Sequence, residues 1–421
     1  MAIRYDKTRS KAILEKIIDM NVTVTGTRGV PFIQGGVETH CEELFSRVSR
    51  LKRKTKIKII RRSGYVTETN NVPSYKGMKI VTLYSPRNKM FEATLHTAFA
   101  VLYAGIKRPD VLHIHAVGPS LLTPFARLLG LKVVMTHHGP DYERAKWGKV
   151  AKLVLRVGEW AGVTFANRVI VISEGIGKGI EAKYGRKDYS LIANGVPAAI
   201  KNEGVDYLEE IGVEKDKYIF TLGRFVPEKG FNYLIKAFKL SESSANYKLV
   251  IAGDCDHHSC YADNFKLLAQ KNGVILTGFI KGEKLQQLYT HARLFILPSF
   301  YEGLPISLLE AMSYKLDILA SDIEPNKEVK LPAAFYFKKG KSEDLKNKID
   351  SKLHEPTKAV EYDMSRYNWN NIAIQTQAVY DSLFSMKKEH HLFIPLPVFN
   401  RVMMGNVKSV RCSLRARMHR L

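Results

Sequence analysis

Two glutamates eight positions apart, in Glu302-Gly303-Leu304-Pro305-Ile306-Ser307-Leu308-Leu309-Glu310, pose the first chemical question. Pro305 suits the first turn of a helix. Glu302 would then lie in the preceding loop and Glu310 inside the helix. Eight helical positions span ~12 Å, whereas the paired acids of a glycosidase stand ~5–9.5 Å apart across one bond. The two acids fit better as separate grips on one long ligand. A capping acid followed by an ordinary helix glutamate would leave the apolar setting of Glu310, between Leu309 and Ala311, without a reason.

A second cluster, Gly223-Arg224-Phe225-Val226-Pro227-Glu228-Lys229-Gly230, follows an apolar run and precedes a helical pattern. It offers two cations, and a diphosphate leaving group needs its charge neutralised as its bond to a sugar breaks. Arginine can grip two oxygens, and lysine acts as a point charge. A third cluster joins Gly26-Thr27-Arg28-Gly29 to Gly35-Gly36-Val37-Glu38. Its glycines would let backbone N–H groups approach a phosphate or a sugar at a helix start, or form a plain turn. The spacing is not the dinucleotide fingerprint, and the acid ~20 residues downstream that would hold a ribose is missing. An oxidoreductase is therefore not expected. His113, His115, His137 and His138 lie at strand ends, where imidazoles can face a cleft. Core or loop roles stay open for His113 and His137.

The chain has 421 residues and a formal net charge of +24, which implies an anionic partner. Lys52–Arg62 carries seven basic residues and no acid, with Lys54, Lys56, Lys58, Arg61 and Arg62 as candidate contacts to an acceptor or an anionic membrane. No nucleic-acid reader motif or aromatic stacking platform accompanies the charge, so nucleic acid is not expected. Cys255-Asp256-His257-His258-Ser259-Cys260 has zinc-ligand types in one short loop but no second half-site, so no metal is expected. Four scattered cysteines suit a reducing compartment. No run of ~18 apolar residues spans a bilayer, and the N-terminus has no signal-peptide core. A cytoplasmic location follows, with attachment to the inner face of the cell membrane as an option.

The elements that must position these clusters alternate. Strands are expected at Val22–Val24, Ile57–Ile60, Lys79–Leu83, Val111–His115, Lys132–Thr136 and Val169–Ile172, with helices such as Glu38–Val48 and Leu121–Leu129 between them. After the turn signal at Leu191–Pro197 a second series begins. Its strands are Tyr218–Leu222, Lys248–Ala252, Val274–Thr277, Leu294–Leu297 and Asp317–Ala320, and its helices include Gly230–Leu240, Glu283–His291 and Pro305–Tyr314. Such alternation predicts an α/β fold of two doubly wound, Rossmann-like domains facing across a cleft. The expected divisions are an extension over 1–19 with Met20 as a natural start, an acceptor-side domain over 20–195, and a nucleotide-sugar-binding domain over 196–365. A crossover helix over 366–386 and a weakly ordered basic tail over 387–421 follow.

These motifs together resemble family 4 of the glycosyltransferases, whose fold is called GT-B. The resemblance runs from about Met20 to Phe384. It rests on Glu302 with Glu310, the Gly223–Gly230 loop and the Gly35-Gly36 pair. The opening GTRGVPFIQGGVETH further resembles bacterial members that build surface polysaccharide, rhamnosyltransferase-like ones included. The resemblance implies that Arg224 and Lys229 hold the donor diphosphate and that Gly35 and Gly36 line its phosphate side. It implies that Glu310 holds the ribose and that Glu302 and His138 touch the donor sugar. It further implies a hexosyltransferase-type enzyme that retains anomeric configuration, needs no metal or other cofactor, and moves a sugar from a nucleotide donor to a glycan or lipid-linked acceptor. A sugar-nucleotide epimerase of the same fold and a non-catalytic sugar-nucleotide-binding subunit are the alternatives.

Overall fold

The structure is a computed structural model that describes residues 20–33, 35–51, 55–86, 92–143, 147–255, 259–357 and 359–385. The expected extension over 1–19, the basic tail over 387–421, Lys54, and His257 with His258 lie outside the described residues.

The N-terminal half runs β1 (Met20–Thr25), α1 (Gly36–Val48), β2 (Thr55–Arg62), β3 (Ser74–Tyr75), β4 (Met78–Leu83) and α2 (Glu92–Lys107). It continues through β5 (Val111–His115), α3 (Thr123–Leu128), β6 (Val133–His137), α4 (Lys149–Phe165), β7 (Arg168–Val171), α5 (Glu174–Tyr184) and β8 (Tyr189–Leu191). These strands form one sheet in the order β3-β4-β2-β1-β5-β6-β7-β8, parallel except for the β3–β4 pair. Strand residues alternate between two cores. Leu112, Ile114, Val133, Met135, Val169 and Val171 face one side with Val101 and Ala104 of α2. Val111, Val134 and Ile170 face the other with Leu44 and Phe45 of α1. Both faces are covered, which is why these strands read as nearly continuous apolar runs.

The C-terminal half runs α6 (Asp206–Glu210), β9 (Tyr218–Leu222), α7 (Phe231–Leu240), β10 (Lys248–Ala252), α8 (Cys260–Lys271), β11 (Ile275–Gly278) and α9 (Glu283–Thr290). Then come β12 (Leu294–Leu297), α10 (Ile306–Ser313), β13 (Ile318–Ser321), α11 (Glu324–Lys327), β14 (Tyr336–Phe337), α12 (Ser342–His354) and α13 (Trp369–Ser385). Its sheet has the order β11-β10-β9-β12-β13-β14, and every pair is parallel. The two-sheet α/β architecture expected from the alternation is the one observed. The edge strands β3, β8 and β14 are two or three residues long, too short to leave a periodic signal.

The basic run requires a correction. Its residues are expected to contact an acceptor or an anionic membrane, but Arg61 and Arg62 are buried, at 1% and 7% exposure. They end β2, which lies inside the sheet between β4 and β1. Arg61 bonds the Asn70 carbonyl and the Thr82 hydroxyl, and Arg62 pairs with Glu92 at 3.1 Å. Buried guanidinium groups with internal partners cannot serve a membrane. Lys56 remains exposed, and the Lys58 ammonium stands 5.2 Å from the Tyr103 ring centre.

The last described helix, α13, returns to the N-terminal half. Trp369, Ile372, Ala373, Val379 and Tyr380 join the core of β1, β2 and α1. The Thr55 hydroxyl donates to Gln377 at 2.8 Å, and the Tyr380 hydroxyl meets His113 Nδ1 at 2.7 Å. His113 Nε2 meets the Thr136 hydroxyl, also at 2.7 Å. Both ring nitrogens are thus satisfied, and burial lowers the His113 pKa to about 3. Tyr380→Phe should leave one buried nitrogen unpaired and cost about 1–2 kcal/mol. Urea unfolding at pH 7 would read this as a lower midpoint with an unchanged slope.

Candidate active site

The predicted residues gather where the carboxyl ends of the two sheets meet, which is where parallel sheets expose loops able to take a ligand. The glycine loop after β1 is pinned by Glu38. Its Oε1 accepts from the Thr27 hydroxyl at 3.2 Å and from the Arg28 N–H at 3.0 Å. Gly35 caps α1 at φ 149°, and a Cβ there would lie 2.0 Å from Glu38 Oε2. A Cβ on Gly36 would meet nothing. Gly35 is therefore required by the backbone, while Gly36 leaves the start of α1 bare.

One turn into α1, His40 reaches His115 of β5 and His138, which directly follows β6. His115 Nδ1 and His138 Nε2 stand 2.9 Å apart with their rings stacked at 25°. The His40 ring lies 4.8 Å from that of His138, and His40 Nδ1 meets Asn194 Oδ1 at 2.8 Å. Burial first, then the Asn194 bond opposing it, sets His40 at about 4. Burial and the neighbouring imidazoles also hold His115 and His138 well below the usual histidine range. The cluster is neutral at pH 7. His40, His115 and His138 have ring nitrogens within 4.8 Å of one another, so they are the residues that could hold a metal. The stacked His115–His138 hydrogen bond instead turns one nitrogen of each ring onto the other.

His137 points elsewhere. Its Nε2 meets Glu159 Oε1 at 2.8 Å, and Tyr142 and Tyr184 donate to the other carboxylate oxygen at 2.9 and 2.6 Å. Burial opposes charge on Glu159, but the His137 bond and charge outweigh it and hold the carboxyl at about 2. His113 is a framework residue, His137 is held by Glu159 at the wall of the cavity between the halves, and the His138 carbonyl faces Gly303 of the other half.

From the C-terminal half, the turn after β9 carries Arg224 and Lys229, both half-buried. Gly230 closes this turn in the left-handed region at φ 68°, packed against the Pro298 carbonyl. Lys229 Nζ meets Glu302 Oε1 at 2.5 Å, and the Ser299 hydroxyl donates to the same oxygen at 2.6 Å. Glu302 and Lys229 thus form one shielded unit, with side chains 11% and 16% exposed. The contact with Lys229 was not foreseen, because nothing in the sequence spacing links positions 229 and 302. Glu310 sits in α10, where the Tyr289 hydroxyl donates to it at 2.9 Å. Burial raises its carboxyl to about 7, with the Tyr289 bond opposing. Tyr289 stacks on Tyr314 at 5.0 Å.

The halves touch beside this unit. A Cβ on Gly303 would lie 2.6 Å from the His138 carbonyl oxygen, and the Tyr301 hydroxyl donates to the Pro140 carbonyl at 3.2 Å. The Asn194 amide donates to the Leu304 carbonyl at 3.1 Å while its oxygen meets His40. Glu328 accepts from the Glu174 and Gly175 N–H groups at 2.8 and 2.7 Å, capping α5 from the opposite half. Between these contacts lies a cavity of about 540 Å³ lined by both halves, including His137, Lys183, Tyr301, Glu302, Asp322 and Lys339. Asn194 and His40 escaped the sequence reading. Asn194 falls within the Leu191–Pro197 turn signal, and in sequence His40 is indistinguishable from any polar residue of an amphipathic helix.

Comparison with known proteins agrees with this geometry. Residues 34–199 match Glycosyltransferase Family 4, and residues 207–369 match Glycosyl transferases group 1. The chain is 24% identical to an uncharacterized glycosyltransferase of Methanocaldococcus jannaschii, over 85% of this chain and 96% of that one. It is 30% identical to the UDP-Gal:alpha-D-GlcNAc-diphosphoundecaprenol alpha-1,3-galactosyltransferase of Escherichia coli, over 53% of this chain and 61% of that one. Among solved structures, the sucrose-phosphate synthase of Thermosynechococcus elongatus superposes with a TM-score of 0.74 at 19% identity, covering 87% of this chain and 99% of that one. Anabaena HepE, solved with UDP, superposes at 0.68 and 16% identity, covering 86% and 100%. Two matched segments, one on each sheet unit, account for most of the chain, which belongs to the family 4 glycosyltransferases of GT-B fold.

Proposed function

We propose that this glycosyltransferase moves a sugar from a nucleoside diphosphate donor to a glycan or lipid-linked acceptor, with retention and without a metal ion, in building a bacterial surface polysaccharide. The observation that carries the reading is the shielded Lys229–Glu302 unit lying against the neutral His138 loop. A diphosphate arriving at the 223–230 turn finds Arg224 and Lys229, and their charge offsets that of the leaving group in place of a cation. Glu302 holds Lys229 in position until then and turns its second oxygen toward the sugar. The neutral His138 can contact the sugar ring without repelling the positive charge that develops there. No protein base is required, because the departing phosphate can take the acceptor proton on the same face.

Glu310 holds the ribose hydroxyls, with Tyr289 fixing its carboxyl. Gly35 and Gly36 border the donor phosphates at the start of α1. The 540 Å³ cavity lined by Glu302 is the place for the acceptor sugar. The relatives support a polysaccharide role, since one acts on a sugar carried by diphosphoundecaprenol and another is described as a putative teichuronic acid biosynthesis glycosyltransferase of Bacillus subtilis.

A panel of nucleotide sugars scored by thermal shift tests the reading. The donor, at 100 times its dissociation constant, should stabilise the fold by ~2.7 kcal/mol, in EDTA as well as with added magnesium. No shift with any member would remove the donor reading, and a shift that needs magnesium would remove metal independence. Product analysis with and without acceptor separates transfer from epimerisation.

Lys229→Ala should cut turnover about 100-fold or more and weaken the donor-induced shift. Glu302→Gln should cut turnover by a similar factor while the donor still binds. Unchanged single-turnover rates in both would rule out the assigned roles.

Glu310 gives a pH signature. Its folded pKa of about 7 exceeds the ordinary value of 4.5, so the fold favours the protonated form. That contribution is full below pH 4.5 and is lost as pH rises through 7. Glu310→Gln should therefore match the native chain in stability at pH 4. At pH 8 it should exceed it by on the order of 2 kcal/mol, yet bind donor less well. Equal stability at both pH values would contradict the assigned environment.

A further inference from the structure

We propose that Asn194 is a positioning residue for sugar transfer, a strut that ties the Glu302 loop to the histidine cluster and fixes which nitrogen of His40 carries the proton. The inference rests on the placement of Glu302 at the donor sugar, although its first test needs no substrate. Asn194 stands in the segment that leaves β8 for the C-terminal half, and it is 5% exposed. The backbone around it is held on both sides. The Ile192 N–H donates to the Val171 carbonyl at 3.0 Å, and the Val196 N–H donates to the Tyr367 carbonyl at 2.8 Å. A Cβ on Gly195 would fall 2.5 Å from the Trp369 ring. The two stretches of chain that cross between the halves thus deliver the Asn194 side chain to one place.

Its carboxamide has a donor end and an acceptor end, and the neighbours leave one way to use them. The Leu304 carbonyl can only accept, so the Asn194 nitrogen faces it, at 3.1 Å. The Asn194 oxygen then faces His40 Nδ1 at 2.8 Å. That oxygen can only accept in turn, so Nδ1 carries the proton. Burial keeps the His40 ring neutral at pH 7, with the Asn194 bond opposing it and a pKa of about 4. Its Nε2 is therefore a bare lone pair, buried and without a hydrogen-bond partner among the described residues. An unpaired buried acceptor is unfavourable, and a neutral histidine side chain free in water prefers its proton on Nε2. Asn194 imposes the opposite form.

The consequence is positional. Leu304 lies two residues beyond Glu302, and the His40 ring packs edge to face on that of His138 at 4.8 Å. One side chain therefore refers the acid of the C-terminal half to the histidine of the N-terminal half. The close approach at Gly303 limits how near the two loops can come, but a van der Waals contact does not stop them sliding. Hydrogen bonds are directional, and a carboxamide bonded at both ends fixes the lateral register. A small error in that register should slow transfer while the donor still binds, because reaction needs the near-attack geometry and binding does not.

Selective 15N labelling of histidine tests the assignment directly. His40, identified by the signals lost in His40→Asn, should carry its proton on Nδ1 at pH 7 in the native chain. In Asn194→Ala it should shift toward the Nε2–H form. A proton on Nε2 in the native chain, or an unchanged tautomer in Asn194→Ala, would overturn the proposal. Kinetics with the donor found by thermal shift supply the second arm. Asn194→Ala should lower kcat about 10-fold or more with the donor KM and the donor-induced shift unchanged. His40→Asn, which keeps an N–H near the former Nδ1, should retain most of the turnover, whereas His40→Ala should match Asn194→Ala. Combining the two alanine changes should cost no more than either alone, because the pair acts as one unit. An unchanged kcat in Asn194→Ala, or losses that multiply in the double variant, would also overturn it. A native chain with no shift for any donor would sink the donor reading alone, and the labelling would still decide this one.

Discussion

A lysine ammonium and a glutamate carboxylate 2.5 Å apart, largely screened from water, lie where the C-terminal half meets the N-terminal one. Lys229 arrives from the turn after β9, and Glu302 arrives from the loop after β12. β9 and β12 are neighbours in the sheet, so the ion pair is a contact between adjacent strand ends. Removing either partner would strand a charge in a confined place, at a cost well beyond that of an exposed pair. Ser299 fixes the same oxygen of Glu302. Cation and acid therefore depend on each other for position, and a ligand that claims one necessarily releases part of the other.

Opposite this pair, the N-terminal half presents imidazoles kept uncharged by burial and by one another. Each added proton would meet desolvation and the other rings together, which is why their titration is driven so far down. The arrangement gives a surface rich in hydrogen-bonding capacity and poor in charge. It relies on α13: Trp369 packs 5.5 Å from His40, and Tyr380 ties down His113. The last described element thus supports the end of the site furthest from it in sequence.

The fold was legible because both faces of each sheet are covered, which leaves apolar runs of five or so residues between helical patterns. Short edge strands and helices such as α4 and α5 were not, since a two-residue strand has no period and α4 mixes buried Gly158 and Gly162 with exposed valines. The candidate site was legible as motifs: Glu302, Arg224, Lys229, His138 and the Gly35-Gly36 pair lie on loops or a helix start at the sheet ends, and Glu310 lies within α10. Their mutual contacts were not. Lys229 with Glu302, His40 with Asn194 and Tyr289 with Glu310 join positions far apart in the chain, and spacing carries no information about such pairs. The basic run misled for a related reason. Seven cations in eleven positions look solvated in one dimension, yet an interior strand buries its final two arginines against a carbonyl, a hydroxyl and a carboxylate.

Gly303 lies where a side-chain carbon would fall 2.6 Å from the His138 carbonyl oxygen. The narrowness of the gap at that point is therefore set by a missing methyl group. Any larger residue would act as a spacer between the halves, lifting the Glu302 loop from the histidine loop without removing a single charged side chain. The distance across which the enzyme works is thus encoded by a residue with no functional group at all.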